Sequence, residues 1–277
     1  MCTLVILRRP GHPWPLILAA NRDEMTDRPW LAPGRHWPDR PEVVAGKDET
    51  AGGSWLGLND HGVVAGVLNR VDSLGPEPGK RSRGELVLEA LDHADAATAA
   101  TNLARLDPTA YRSFNLVIAD NRDAFWLRSS GSLGNSGWLR NSGPGAEGAP
   151  AGGRNVPRVE AFEIPAGTSM VTAHDRNDPA SGRIQAYLPQ FEAAGPPDPK
   201  AGDWASWAGL MKARTPHGSE DPYAAMTIVT SRGFGTVSSS LIALPGPPRT
   251  LSERPNRPVW QFAPGRPDQA SYENVEI

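Results

Sequence analysis

The chain has 277 residues, of which 39% are hydrophobic, and a formal net charge of -3. This length allows one large domain or two smaller ones, and the slightly acidic balance gives no basic field that would attract nucleic acid. The single cysteine excludes an intrachain disulfide framework, and the 6 histidines lack the paired spacing of a zinc site. We therefore expect neither a nucleic-acid partner nor a bound metal.

Targeting signals are weak in this sequence. No apolar run approaches the roughly 20 residues of a membrane helix. The apolar run at residues 3–7 is short and precedes its arginines, whereas an export signal places its charge first. We expect a cytoplasmic protein without a transmembrane segment.

Predicted strands come in pairs that flank turn residues, which is typical of β-hairpins. The pairs are 3–7 with 16–20, 54–58 with 63–68, 114–119 with 124–127, and 225–230 with 236–244. Several of these strands are apolar on both faces, so we expect both faces to be covered. The pattern predicts stacked antiparallel sheets.

Predicted helices begin at Ser82, Ser181 and Asp203, and Ser82 with Glu85 has the spacing of a capping box. Helices that cover antiparallel hairpins indicate an α+β layered protein. Glycine and proline cluster in three expected loops, at residues 142–157, 194–203 and 245–258. No compositional shift flanks them, so we predict a single domain over residues 1–277 that ends in a C-terminal tail.

Cys2 follows the initiator Met1 directly. A small second residue generally allows removal of the initiator, which would leave Cys2 with a thiol and a free α-amine. An α-amine has a pKa of about 7.7–8.0 and can act as the base for the thiol, which is the chemistry of an N-terminal nucleophile. The alternative is an incidental cysteine at a fraying chain end.

The first hairpin predicts the neighbours of Cys2. Reflection of residue 2 through the centre of the gap between the two strands gives position 21, with an error of one or two residues. Asn21, Arg22 and Asp23 therefore lie beside the thiol. Asp23 could hold the α-amine and Arg22 could favour the thiolate. The alternative is a turn that leaves the strand, with a surface Arg–Asp pair.

Two further segments carry candidate residues. The glycine-bracketed strand 52–57 permits close backbone approach, and its return strand ends at Asn69, whose amide could donate to an oxyanion or cap a turn. His174 and Asp175 follow a predicted strand at 168–173 and could form a papain-like triad with Cys2. A solvated loop histidine is the other interpretation.

Three motifs carry a family resemblance: Met1-Cys2-Thr3, LAANRDE at residues 18–24 and GGSWLG at residues 52–57. They resemble the NRDE family, also called the transport and Golgi organisation protein 2 family. That family is similar to N-terminal-nucleophile hydrolases of the choloylglycine hydrolase and penicillin V acylase type. The resemblance implies a four-layer αββα sandwich, a Cys2 nucleophile, an amine-positioning Asp23 and an oxyanion-hole Asn69.

The sequence departs from those hydrolases at three places. Their arginine before the first-motif asparagine corresponds to Ala20, and Arg22 instead follows Asn21. For their second oxyanion asparagine, the nearest position in order is His174. Arg232 corresponds to their late arginine by approximate location alone. Asn21, His174 and Arg232 are therefore retained as possible substrate or oxyanion residues.

Two functions fit these patterns. The first is an N-terminal cysteine amidohydrolase or acyltransferase that acts on a non-peptide amide of a small acyl compound and needs no cofactor. The alternative is a non-catalytic binding or trafficking protein for haem or for acyl-CoA or lipid. Nine tryptophans could line an apolar pocket in such a protein, although core packing also explains them.

Overall fold

The computed structural model describes residues 2–130, 157–214, 221–247 and 256–277. The predicted loop at 142–157 lies outside this range except for its last residue, and so do residues 248–255 of the predicted loop at 245–258. The strands, in chain order, are β1 (Thr3–Arg8), β2 (Leu16–Met25), β3 (Trp30–Gly34), β4 (Val43–Asp48), β5 (Leu56–Asn59), β6 (Val64–Asn69), β7 (Phe114–Ala119), β8 (Ala124–Ser129), β9 (Val159–Glu163), β10 (Gly167–Val171), β11 (Phe234–Leu244), β12 (Val259–Ala263) and β13 (Glu273–Asn274). The α-helices are α1 (Gly84–Leu91), α2 (Ala96–Leu103), α3 (Gly182–Ala193) and α4 (Ala205–Met211).

The strands form two antiparallel sheets. The first has the order β10-β1-β2-β11-β12-β13, and the second runs in sequence from β3 to β9. Side chains alternate between the faces of a strand, so each apolar strand contributes to two cores. Leu4 and Ile6 of β1 lie in the core between the sheets, whereas Val5 packs beneath α3 and α4.

The outer faces of both sheets are covered by helices. Leu86 and Leu91 of α1 and Ala99 of α2 pack on the second sheet, and Ile184 of α3 and Trp207 of α4 pack on the first. Each helix buries one apolar stripe in this way. The layer order is helix, sheet, sheet, helix, which confirms the predicted αββα sandwich. In the described ranges no helix has both the length and the apolarity to cross a membrane.

Three of the four predicted hairpins are present, as β1–β2, β5–β6 and β7–β8. In the first hairpin Thr3 pairs with Asn21, so the register continues to Cys2 opposite Arg22. The sequence estimate is one residue short because β1 extends to Arg8 and moves the centre of the connection.

The fourth predicted hairpin is wrong. The segment 225–230 forms no strand, apart from an isolated bridge between Val229 and Gly235. β12 pairs only with residues 239–243 of β11, and at the start of β11 the N–H of Thr236 donates to the carbonyl of Ile228 at 2.9 Å, so contact with the segment is limited to this point. The segment also bonds to the helical layer: the N–H of Thr227 donates to the carbonyl of Ala213 at 2.9 Å.

The helix starts are only partly as predicted. Ser181 caps α3 through Ile184, which confirms that start, and α4 begins just after Asp203, whose carboxylate accepts the N–H of Ala205 at 3.0 Å. The capping box at Ser82 is wrong, because α1 begins after Arg83 without a side-chain cap. Its Glu85 binds Arg81 at 2.6 Å instead. The sequence reading did not anticipate α2, which Asp95 caps.

Candidate active site

Cys2 lines a cleft that lies near the start of β1, the ends of β2 and β6, and the start of α1. The cleft has a volume of about 270 Å³, and Cys2, Arg22, Asp23, Asn69 and Arg83 are among the residues that line it. Cys2 is partly buried, and its Sγ donates a weak hydrogen bond to the carbonyl of Asp23 at 3.7 Å. The hairpin thus brings the thiol beside the charged end of β2, as the sequence predicts.

The environment disfavours the thiolate of Cys2. Burial raises the pKa of the thiol above its ordinary value, and the nearby negative charge of Asp23 acts in the same direction. The positive charge of the N-terminus, the hydrogen bond to the Asp23 backbone and the charge of Arg22 oppose the rise without reversing it. The net direction is opposite to a simple activation by Arg22, so the thiol needs a base when it acts as a nucleophile.

Asp23 is held as a fixed buried anion. One carboxylate oxygen accepts Arg183 Nη1 at 3.0 Å, and the other accepts Thr236 Oγ1 at 2.6 Å. Arg183 also donates to Thr3 Oγ1, on the strand that carries Cys2. Buried charges are stable only when paired and hydrogen-bonded, and these contacts meet that condition.

Arg22 faces the thiol side of β2 and is 5% exposed. Its guanidinium lies 4.2 Å from the ring centroid of Trp55, and Nη2 donates to Asp48 at 3.3 Å. Nη1 is buried without a hydrogen-bond partner. Burial lowers the pKa of Arg22 from its ordinary value. Ala20 and Arg22 both line a narrow space of about 20 Å³ beside Cys2, so they lie on the same face of β2. The arginine of this face therefore stands at position 22, two residues after Ala20.

Glycines allow the close packing that positions Trp55 and α1. A Cβ on Gly46 would lie 2.3 Å from the Trp55 ring, so only glycine leaves room for the indole beneath Arg22. A Cβ on Gly53 would lie 2.5 Å from the carbonyl carbon of Gly84. This backbone contact, with Ser54 N–H donating to Gly84 at 3.0 Å, seats the start of α1 against the cleft.

Asn69 ends β6 and faces the same cleft. Its Nδ2 makes a long hydrogen bond of 3.4 Å to the carbonyl of Arg70. This weak contact leaves most of the donor capacity of the amide for a ligand. Asn69 therefore presents a largely unused amide donor to the cleft.

Arginines dominate the outer wall of the cleft. Arg83 Nη1 donates to Ser73 O at 2.8 Å and to Ser113 O at 3.0 Å. Arg112 binds the carbonyls of Leu74 at 2.6 Å and Asp72 at 2.9 Å. Burial, followed by the charge of Arg112, lowers the pKa of Arg83 to about 10. The Arg83 guanidinium therefore remains charged at neutral pH.

Asn21, the first of the three secondary candidates, points away from the thiol. Its Nδ2 donates to the carbonyls of Met211 and Met226 at 3.1 and 2.9 Å, which ties β2 to the helical layer. Residues alternate along β2, so Asn21 and Arg22 face opposite sides. Asn21 thus serves packing in this structure.

His174 and Arg232 do not line the cleft. The carbonyl of His174 accepts a hydrogen bond from Asn115 at 2.8 Å, and Asp175 pairs with Arg70 at 2.6 Å and with Arg128. The structure therefore does not bring a Cys2–His174–Asp175 triad together, because adjacent residues diverge and the carboxylate is occupied. Arg232 is exposed in the turn before β11.

The sequence-based prediction of the site did not include Arg183, Thr236 or Arg83. Arg183 follows the predicted helix start at Ser181, but nothing in its spacing points to Asp23, which lies 160 residues away. Thr236 lies 213 residues from Asp23. Arg83 lies in the segment that predicts a helix start, and that pattern does not indicate a place in the site. No local signal in a single sequence identifies such long-range pairs.

The residues around Cys2 do not suit haem. As far as the described residues form it, the cleft lining contains no histidine that could ligate a haem iron. Cys2 is the one soft iron ligand there, and its raised pKa keeps it protonated. Over the described ranges, no group of three or more His, Cys, Asp or Glu side chains is placed to hold a metal ion.

The two stacked sheets with outer helices, and a cysteine at the start of the first strand, define an N-terminal-nucleophile hydrolase-like fold. An N-acylethanolamine-hydrolyzing acid amidase ortholog from Caenorhabditis elegans superposes with a TM-score of 0.52 over 99% of this chain and 100% of that chain, at 11% identity. At that identity the likeness establishes the fold alone.

Sequence comparison identifies the family. The family model "Transport and Golgi organisation 2" matches residues 1–144, and the chain belongs to this family. The Transport and Golgi organization 2 homolog of Mus musculus is 34% identical over 108 residues, and the homolog of Bos taurus is 36% identical over 110 residues. Each match covers 38% of this chain and 38% of the relative, so the chain covers well under two thirds of the relatives' length.

Proposed function

We propose that this protein is an N-terminal cysteine amidohydrolase or acyltransferase that acts on a non-peptide amide of a small acyl compound. One observation carries the proposal: Cys2 lines a cleft beside the buried anion Asp23, with Asn69 on the same cleft. A lone cysteine at a chain end needs no fixed anion and no amide donor around it. The fold, which is shared with an N-acylethanolamine-hydrolyzing acid amidase ortholog, is compatible with this chemistry.

The proposed reaction begins when Met1 is removed. The α-amine of Cys2 takes the proton from Sγ, and the sulfur attacks the carbonyl carbon of the amide. The negative charge moves to the carbonyl oxygen, where the Asn69 amide donates a hydrogen bond. The C–N bond then breaks, the amine leaves with the proton from the α-ammonium, and a thioester remains on Cys2.

The second half-reaction releases the acyl group. The α-amine takes a proton from water or from an acceptor amine, and the resulting nucleophile attacks the thioester. The C–S bond breaks and the proton returns to sulfur. Water gives hydrolysis, and an amine gives acyl transfer. The buried charge of Asp23 stabilises the α-ammonium that forms in both halves, because opposite charges favour the ionised state.

Mass spectrometry tests this mechanism directly. The purified protein should lack Met1 and, when mixed with a panel of N-acyl amides, should gain the mass of one acyl group on Cys2. Cys2→Ala should show no adduct and no turnover. Retained Met1 throughout the preparation, or full turnover by Cys2→Ala, would contradict the proposal. Saturable acyl-CoA or lipid binding that survives Cys2→Ala, without turnover, would favour a binding protein.

Asn69 has a matched control. Asn69→Ala should lower kcat by about 100–1000-fold, the usual cost of one oxyanion donor. Asn102→Ala, at an exposed position in α2, should leave kcat unchanged. Equal activity of the two variants would remove Asn69 from the mechanism.

A further inference from the structure

We propose that the ligand of this cleft is an amphipathic acyl amide with an oxyanion group, such as a carboxylate, sulfonate or phosphate, that Arg83 binds. The inference rests on the proposed function for the amide, but its anion site stands on separate contacts. Those contacts involve the Arg83 guanidinium, the unpartnered Nη1 of Arg22 and the apolar floor of the cleft.

Arg83 differs from Arg28 and Arg81, two other cations of the cleft, in its partners. Arg28 pairs with Asp48 at 2.7 Å, and Arg81 pairs with Glu85 at 2.6 Å. The hydrogen bonds of Arg83 go to the Ser73 hydroxyl and to the carbonyls of Ser73 and Ser113. Among the described residues Arg83 forms no ion pair, so its charge is oriented but not neutralised.

A second cation, Arg112, increases the electrostatic cost of holding the Arg83 charge without a counter-ion. Arg112 is close enough to lower the pKa of Arg83, while Cys2 and Glu24 act in the opposite direction. The shortest hydrogen bond of Arg112 goes to a backbone carbonyl, and the carboxylate of its ion-pair partner Glu77 is 3.5 Å away. Like charges in a partly buried wall repel each other, and a bound anion would relieve that repulsion.

Arg22 provides an independent sign of a ligand. It is 5% exposed, lines the same cleft, and keeps Nη1 without a hydrogen-bond partner. A buried N–H donor that lacks a partner costs free energy, and few occur in folded proteins. An oxygen of a ligand bound between Cys2 and Arg83 would satisfy this donor.

The floor of the cleft suits an apolar group. Trp55, Val67, Leu68 and Leu74 line it, and Leu74 is 49% exposed. A ligand that covers apolar side chains removes them from water, and this burial favours binding. The cleft therefore has three adjacent parts, namely an apolar floor, the thiol of Cys2 and a cationic wall, which together match an amphipathic anionic acyl amide.

Alkylation of Cys2 tests the anion site without any turnover. Iodoacetate and iodoacetamide are similar in size and differ in charge, and Cys2 is the only thiol in the chain. The ratio of their rates on the intact protein, divided by the same ratio for free cysteine, isolates the electrostatic preference. We expect this normalised ratio to be about tenfold higher in the native protein than in Arg83→Gln, from one charge pair in a partly exposed cleft.

Two variants and one salt series complete the test. Arg105→Gln changes the net charge equally at an exposed position outside the cleft and should keep the ratio of the native protein. Arg83→Lys preserves the charge and should restore most of the preference. A urea unfolding curve checks that Arg83→Gln is folded. Acetate, methanesulfonate and inorganic phosphate at constant ionic strength should each slow labelling by iodoacetate, and the strongest competitor identifies the preferred oxyanion.

The outcomes separate this proposal from the proposed function. A ratio near that of free cysteine, or equal ratios in folded Arg83→Gln and Arg105→Gln, would overturn the anion site even if amide turnover is found. A high ratio that depends on Arg83, with no turnover of any amide, would support the anion site and count against the enzyme. In an active protein, hexanoylglycine should have a KM about tenfold below that of hexanoylglycinamide, and Arg83→Gln should remove the difference.

Discussion

Arg8 and Arg22 are buried at opposite ends of the β1–β2 hairpin, and their surroundings differ. Arg8 is 7% exposed and Arg22 is 5% exposed, so the two guanidiniums are equally removed from water. Arg8 binds Glu163 at 3.1 Å, the carbonyl of Ile164, and the carbonyl of Arg122 at 2.8 Å. Arg22 has one hydrogen bond of 3.3 Å, an indole face and an unpartnered Nη1.

The difference separates a structural arginine from one that keeps capacity for a ligand. Arg8 closes the turn end of the sandwich by joining β1 to the end of β9, and most of its donor capacity is used. Arg22 lies at the thiol end, where the sheets leave a cleft. The two arginines are equally buried but unequally hydrogen-bonded. The unused donor of Arg22 therefore indicates that a ligand binds at the thiol end of the sandwich.

Arg183 is a third buried arginine and should show the largest effect on stability. Arg183→Met removes the buried guanidinium that pairs with the Asp23 carboxylate, which we expect to cost about 3–5 kcal/mol of unfolding free energy. Urea denaturation measures the loss. The double variant Asp23→Asn/Arg183→Met should recover part of it, because both charges are gone. A loss below about 1 kcal/mol in the single variant would show that the pair is dispensable.

A matched pair of variants tests whether Arg8 and Arg22 differ in their contribution to stability. Arg8→Met leaves the buried carbonyl of Ile164 without this donor and should cost about 2–3 kcal/mol. Arg22→Met removes an unsatisfied donor, and Asp48 keeps its contact with Arg28, so the cost should stay below about 1 kcal/mol. Equal losses in urea denaturation would mean that Arg22 is as structural as Arg8.

The pH dependence of Cys2 gives the smallest and most local readout. A raised pKa means less thiolate at a given pH, so iodoacetamide should label the native protein more slowly than free cysteine at pH 7. The rate should rise about tenfold per pH unit up to a midpoint above that of free cysteine.

A variant of Arg22 tests the electrostatic contribution to the pKa of Cys2. Arg22→Met removes a cation that lowers the pKa of Cys2, so the midpoint of labelling should move further up. Removal of Met1 should move it down, because the ammonium then lies on Cys2 itself. A midpoint below that of free cysteine while Met1 is retained would contradict the role of burial.

The sequence by itself determined the layered fold and the neighbourhood of Cys2. Strands have a period of two residues and a short connection limits the register, so the hairpin brings Cys2 next to Arg22 and Asp23 with an error of one residue. The glycines of the 52–57 motif likewise predicted a close backbone approach, which occurs at Gly53 and Gly84.

Tertiary packing alone decided the partners that define the site. Arg183 and Thr236 reach Asp23 across 160 and 213 residues, and Arg83 reaches the cleft because α1 packs against the second sheet. Packing also decided that segment 225–230 bonds to the helical layer, where the N–H of Thr227 donates to the carbonyl of Ala213 at 2.9 Å. Local periodicity reports which face of an element is apolar, but it contains no information on which distant charge completes a buried pair.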